Sequence, residues 1–211
     1  MKWLLVIVSL LMSATTIAVD KWRGLLEIQP GVYLTLGFNV DVNANAVTLD
    51  SPNQGAFGKV PTEFSVSKTH LSFKDKQLQA EFTGEVKGNK LVGTFTQGRA
   101  MPVTLQRLSE QDLTQLKYEG AYTGELDING KLLPLVVQVA VIHGGFYTSL
   151  DSPAQQSYGI PMTKFAINND EMTFKSKMIS ASFSGKFSEQ GYKGKFVQGF
   201  EMPLTLKKKQ L

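Results

Sequence analysis

Apolar and polar residues alternate in short runs along most of this chain. Phe38-Asn39-Val40-Asp41-Val42 places an apolar side chain at every second position, and Leu71-Ser72-Phe73-Lys74 and Val103-Thr104-Leu105-Gln106 do the same. A period of two puts one set of side chains on the core face of a strand and the other toward solvent. Ala181-Ser182-Phe183-Ser184 and Phe196-Val197-Gln198 continue the pattern, while the longer apolar run Leu132 to Val141 reads as a strand covered on both faces. Turn signals separate these runs at Pro30-Gly31, Lys87-Gly88-Asn89, Asn129-Gly130 and Glu189-Gln190-Gly191. Asn129-Gly130 is the clearest hairpin, because both residues tolerate positive φ. One stretch differs: Ser109-Glu110-Gln111-Asp112 has an N-cap followed by acids where the helix dipole favours them, predicting a short helix over residues 109–117.

The pattern occurs twice. Leu49-Asp50-Ser51-Pro52 returns as Leu150-Asp151-Ser152-Pro153, an offset of 101 (151 − 50) that holds without a gap to the end of the chain. Gln54 meets Gln155, Gly58 meets Gly159, and Phe82-Thr83-Gly84 meets Phe183-Ser184-Gly185. Gly93-x-Phe95-x-Gln97-Gly98 meets Gly194-x-Phe196-x-Gln198-Gly199, and Met101-Pro102 meets Met202-Pro203. Upstream, Trp22-x-Gly24 matches Tyr118-x-Gly120 at an offset of 96 (120 − 24), which implies five extra residues near the start of the second copy. The expectation is an all-β protein of two tandem antiparallel modules, barrel or sandwich-like, with about six to eight strands each. Module 1 then covers 19–108, a linker helix 109–117, and module 2 118–211.

Residues 1–18 complete the division. Lys2, the apolar run Trp3 to Met12 and the small residues up to Ala18 form the three-part pattern of a secretory signal peptide, with the cut after Ala18 or Ala14. The expected location is periplasmic or secreted, with no stable membrane insertion after cleavage. The formal charge of +4 comes from interspersed lysines, with no basic stripe interleaved with aromatics, which argues against nucleic acid. With no cysteine, disulfides, thiolate catalysis and cysteine metal sites are excluded.

The residues kept in both copies define the candidate chemistry. The strand glycines Gly84, Gly93, Gly185 and Gly194 mark bulges, bends or close backbone approach. The Leu-Asp-Ser-Pro-x-Gln loops offer Asp50, Ser51 and Gln54, and Asp151, Ser152 and Gln155, either to their own turn or to a ligand. Gln97 and Gln198, each before a glycine, read either as clasps on the Asp50-type loop or as a polar pocket rim. Neither His70 nor His143 repeats, since Glu171 stands at the position matching His70. No G-x-S-x-G elbow, H-E-x-x-H pair, phosphate loop or dinucleotide fingerprint is present, so no catalytic residue, cofactor or metal is assigned.

Trp-x-Gly, Leu-Asp-Ser-Pro-x-Gln-x-x-x-Gly, Phe-x-Gly, Gly-x-Phe-x-Gln-Gly and the closing Pro-Val/Leu-x-Leu together resemble the accessory β-domain that precedes the catalytic domain in some secreted bacterial α/β-hydrolases and related serine hydrolases. The likeness spans nearly all of residues 19–211, one domain per copy. It implies an extracytoplasmic β-domain and carries over no catalytic residue, because the hydrolase domain has no counterpart here. Function therefore reads as a non-enzymatic exported binding or accessory module for a small amphipathic ligand, a glycan or an envelope protein. The alternative is a hydrolase, or the accessory subunit of a secreted hydrolase.

Overall fold

The computed structural model describes residues 19–209, so the signal-peptide reading of residues 1–18 lies outside the described residues. Module 1 contains β1 (Asp20–Gln29), β2 (Val32–Asp41), β3 (Ala46–Ser51), β4 (Ala56–Lys59), β5 (Glu63–Val66), β6 (His70–Asp75), β7 (Ala80–Lys87), β8 (Lys90–Gln97) and β9 (Arg99–Arg107). The helix α1 (Glu110–Gln115) follows. Module 2 contains β10 (Gly120–Ile128), β11 (Lys131–Ile142), β12 (Gly145–Ser152), β13 (Ser157–Pro161), β14 (Lys164–Ile167), β15 (Glu171–Ser176), β16 (Ala181–Ser188), β17 (Gly191–Gln198) and β18 (Phe200–Lys208).

Each module is one curled antiparallel sheet of nine strands. The first and last strands pair in the middle, giving the order β4-β3-β2-β1-β9-β8-β7-β6-β5, and module 2 repeats it. The all-β, two-module reading with a connecting helix therefore holds, with more strands than expected. The additional ones are the short pairs β4, β5 and β13, β14, which are too short to show a period in sequence; β4 also contains Gly58 at φ +67°. These strands form the free edges, so each module is a half-barrel rather than a closed one.

Alternation fills the concave side. β7 runs buried-exposed-buried, and Phe38, Phe73, Phe82 and Phe95 meet inside module 1 with ring centroids 4.9–6.4 Å apart. Phe174, Phe183 and Phe196 form the matching group in module 2. The apolar run in β11 is indeed covered on both faces at its far end, where Val139, Ala140 and Val141 have no exposed surface. Its inner residues enter the core, and its outer side receives α1 and the Pro52–Gln54 turn of module 1.

Strand pairing corrects the alignment at the start of module 2. Trp22 pairs with Arg107, and Tyr122 pairs with Lys208, which is Arg107 plus 101. The structural partner of Trp22-Arg23-Gly24 is thus Tyr122-Thr123-Gly124, an offset of 100 (122 − 22), and not Tyr118-x-Gly120. Phe38 and Val137 are then equivalent at 99 (137 − 38), because each faces the first strand and the following Leu49 or Leu150. Module 2 loses one residue in its first hairpin, where module 1 has a bulge near Ile28, and gains two in its second. The net insertion is one residue rather than five. Tyr118 misled because the aromatic-x-Gly pattern occurs twice in a row, at Tyr118-Glu119-Gly120 and at the true register, Tyr122-Thr123-Gly124.

Candidate binding groove between the modules

Asp50 and Asp151 hold equivalent places. Asp50 Oδ1 accepts the Gly58 amide at 2.8 Å and Asp151 Oδ1 accepts the Gly159 amide at 2.7 Å. Both glycines sit at φ +67°, where a side chain is strained, so the Asp and the glycine eight residues later form one clasp. The second carboxylate oxygen also has matched donors: Asn39 Nδ2 at 2.8 Å for Asp50, and Gln138 Nε2 at 3.1 Å for Asp151. Ser51 and Ser152 donate to Gln54 and Gln155 Oε1, each at 2.8 Å, across the single 3-10 turns Pro52–Gln54 and Pro153–Gln155.

These turns end in the left-handed region, at Gly55 (φ 66°) in module 1 but at Gln156 (φ 52°) in module 2. A side chain there costs about 1 kcal/mol. Gln156→Gly is therefore expected to stabilise module 2 by up to about 1 kcal/mol, read as a higher denaturant midpoint. An unchanged midpoint would remove the strain argument.

Gln97 and Gln198 do not reach the Asp50-type loops. Their side chains donate to Leu78 O at 2.8 Å and Ile179 O at 3.0 Å. The reason is register: Gln97 pairs with Ala80, beside the β6–β7 turn, while β3 lies four strand positions away along the sheet. Each glutamine is a clasp on a different loop from the one expected.

Module 1 adds a group the repeat did not reveal. Arg23 is 3 % exposed, and its Nη2 lies 2.8 Å from Asp50 Oδ2 and 3.4 Å from Glu119 Oε1. Glu119, just before β10, also accepts the Val141 amide through Oε2 at 2.8 Å. Burial raises the Glu119 carboxyl above its ordinary range, and this outweighs the opposing effects of Arg23 and the Val141 amide. The Arg23 side chain crosses Gly37 in the space a Cβ would take; module 2 has Thr123 and Val136 at these places and no such charge. This buried ion triad ties module 1 to the start of module 2. An arginine in the first strand that the second copy does not repeat, with Thr123 in its place, was its only sequence signal.

The triad and the Asp50 clasp set the Pro52–Gln54 turn against the outer face of β10 and β11. Asn53 fixes the turn to β2, accepting the Thr35 amide at 3.0 Å and donating to Tyr33 O at 3.3 Å. Between turn and sheet lies a groove of about 620 Å³. Asn53, Gln54 and Phe57 line one wall, and Thr123, Gln138 and Lys209 the other. Gln138 Nε2 is held by Asp151, and its Oε1 is buried beneath the groove surface. Of the eight repeated polar candidates, only Gln54 lines the groove; Gln155 sits on the equivalent turn of module 2, which packs on β11 and β13 of its own module.

A smaller pocket of about 360 Å³ opens at the other end of module 1. Arg107 lies there 4.6 Å over the Trp22 ring, paired with Asp20 at 3.0 Å. The matching end of module 2 has a pocket of about 320 Å³, lined by Tyr118, Tyr122, Phe187, Tyr192 and Lys208. There the Tyr118 carbonyl accepts Tyr122 Oη–H at 2.9 Å and the Tyr118 hydroxyl donates to Asn169 Oδ1 at 2.7 Å.

One Ser, Asp and His set comes together at the linker. Ser109 Oγ donates to Asp112 Oδ2 at 2.7 Å, and His143 Nδ1 lies 3.2 Å from the same oxygen. The serine proton is directed at the carboxylate rather than at the imidazole, opposite to what a nucleophile needs. Asp112 also accepts the Ser109 amide at 2.9 Å and the Gly144 amide at 3.0 Å. Burial alone would raise its pKa, but these hydrogen bonds outweigh it and hold the carboxyl below its ordinary range. The group is a capping box that fastens α1 to the β11–β12 turn. Among the described residues no group of three or more His, Cys, Asp or Glu side chains is placed to hold a metal, and no helix is long and apolar enough to cross a membrane. Comparison of the chain with protein-family models, curated proteins and solved structures found no match.

Proposed function

We propose that this chain is an exported, non-catalytic binding protein whose inter-module groove takes a hydroxyl-rich chain such as a glycan. The observation that carries this reading is the lining of the groove, which gathers the side-chain amides of Asn53, Gln54 and Gln138 around one concave space between the modules. Side chains that both donate and accept, grouped in a cleft, suit a ligand whose hydroxyls do the same. The surroundings agree. Phe57 offers an apolar ring and Lys209 a cation at the rim.

Titration calorimetry against a panel of envelope and plant oligosaccharides tests this. Gln54→Ala and Phe57→Ala are expected to weaken the best binder by about tenfold each, whereas Gln155→Ala, on the turn without a groove, leaves it unchanged. A panel without binders, or equal effects of Gln54→Ala and Gln155→Ala, overturns the reading.

A further inference from the structure

Five of the six exposed large apolar residues described in module 2 gather at one end of its sheet. Ile128 and Leu132 flank the β10–β11 turn, Tyr158 follows the Pro153–Gln155 turn, Met178 lies in the β15–β16 turn, and Phe200 begins β18. The strand directions place all four connections on the same side of the module. Met178 is 72 % exposed, Tyr158 67 % and Phe200 61 %. The Met178 and Phe200 turns are held side by side by the Gln198 to Ile179 O bond.

Module 1 carries less of this: its matching turns expose Val32 at 43 % and Leu78 at 40 %. At the offset of 101, Gln77 stands for Met178 and Arg99 for Phe200, and Tyr158 replaces Phe57, which is half-buried against module 2. Charge differs in the same direction. Around the module 2 tip, Lys131, Lys164, Lys175, Lys177 and Lys195 stand against two carboxylates, Asp127 and Glu201. Beside the paired Lys59 and Asp75, the module 1 counterpart has Lys74, Lys76 and Arg99 against Glu27, Glu63 and Glu81. Glu63 in module 1 corresponds to Lys164, and Glu81 to Ser182.

Exposed apolar turn tips ringed by lysines match one surface: an apolar layer beneath anionic headgroups. A polyanion in solution would use the lysines and leave the apolar tips without a role. We infer that the turn end of module 2 docks peripherally on anionic lipid bilayers, inserting Met178 and Phe200 while the lysines lie over the headgroups. Each lysine near such a surface contributes about fivefold in partition, and salt screens that contribution.

The test is co-sedimentation of the protein, residues 19–211, with vesicles of phosphatidylglycerol and phosphatidylcholine, compared with phosphatidylcholine alone. Binding is expected only with the anionic lipid, weakening as salt rises. Met178→Gln with Phe200→Gln, which removes both apolar tips without changing the charge, is expected to lower partition at least tenfold, and Lys164→Glu by about tenfold, both with unchanged melting. Equal binding to neutral vesicles, no effect of the double variant, or self-association through the tip without vesicle binding would each overturn the inference.

Discussion

Arg23→Met is expected to cost about 3–5 kcal/mol of stability, measured by denaturant unfolding followed through Trp22, which is buried in module 1. The size follows from what remains. Asp50 and Glu119 are each 7 % exposed, and without the guanidinium two carboxylates stay buried with no counter-ion. Methionine fills much of the volume, so the loss reports charge more than cavity. Substituting the acids as well, Asp50→Asn with Glu119→Gln, is expected to return some of the loss, because a neutral amide tolerates burial that a lone carboxylate does not. The pH dependence has a definite sign. Burial already raises the Glu119 pKa, and loss of Arg23 raises it further. An acid with a raised folded-state pKa is destabilising when ionised and is relieved as pH falls through that value. The gap between wild type and Arg23→Met is therefore expected to narrow toward mildly acid pH. A constant gap of under 1 kcal/mol at every pH would mean that the triad is solvated and does not bind the modules together.

The same triad shows what the sequence concealed. Period-two alternation exposed the β class, because inward and outward positions differ in polarity on nearly every strand of a one-core sheet. The duplication was legible wherever register is unbroken, from Asp50 and Asp151 onward. It failed at β10, where hairpins of different length shift the offset from 100 to 99 and then to 101, and only strand pairing distinguishes Tyr122 from Tyr118 as the partner of Trp22. The groove was hidden for a related reason. It forms between unlike elements, a loop of module 1 and the outer face of β11, so comparing the copies with each other cannot reveal it. Its one trace was the Leu132 to Val141 run, whose apolar outer positions marked a covered face without naming the cover. The candidate polar residues had the opposite fate: Asp50, Asp151, Gln97 and Gln198 were kept in both copies, and each holds a loop.

Gly93→Ala is expected to destabilise module 1 by about 3 kcal/mol, and Gly194→Ala to do the same to module 2. Gly84 and Gly93 face each other across β7 and β8, as Gly185 and Gly194 do across β16 and β17. A Cβ on Gly93 would stand 2.7 Å from Gly84 Cα and 2.7 Å from Phe82 Cζ. The ring cannot withdraw: Phe82 is 1 % exposed and packs on Phe38 at 4.9 Å and Phe73 at 5.9 Å between centroids. Each module thus uses a cross-strand glycine pair as a seat for an aromatic ring, and this close approach lets the sheet curl tightly over its core. Adding one methyl group must either push the paired strands apart or lift a ring from the centre of the core. Gly88→Ala is the control. It lies at φ +63° with open space around it, so it meets only the backbone cost of about 1 kcal/mol. If Gly93→Ala cost no more than Gly88→Ala, the ring would not be seated on the glycines, and the curl of both half-barrels would need another cause.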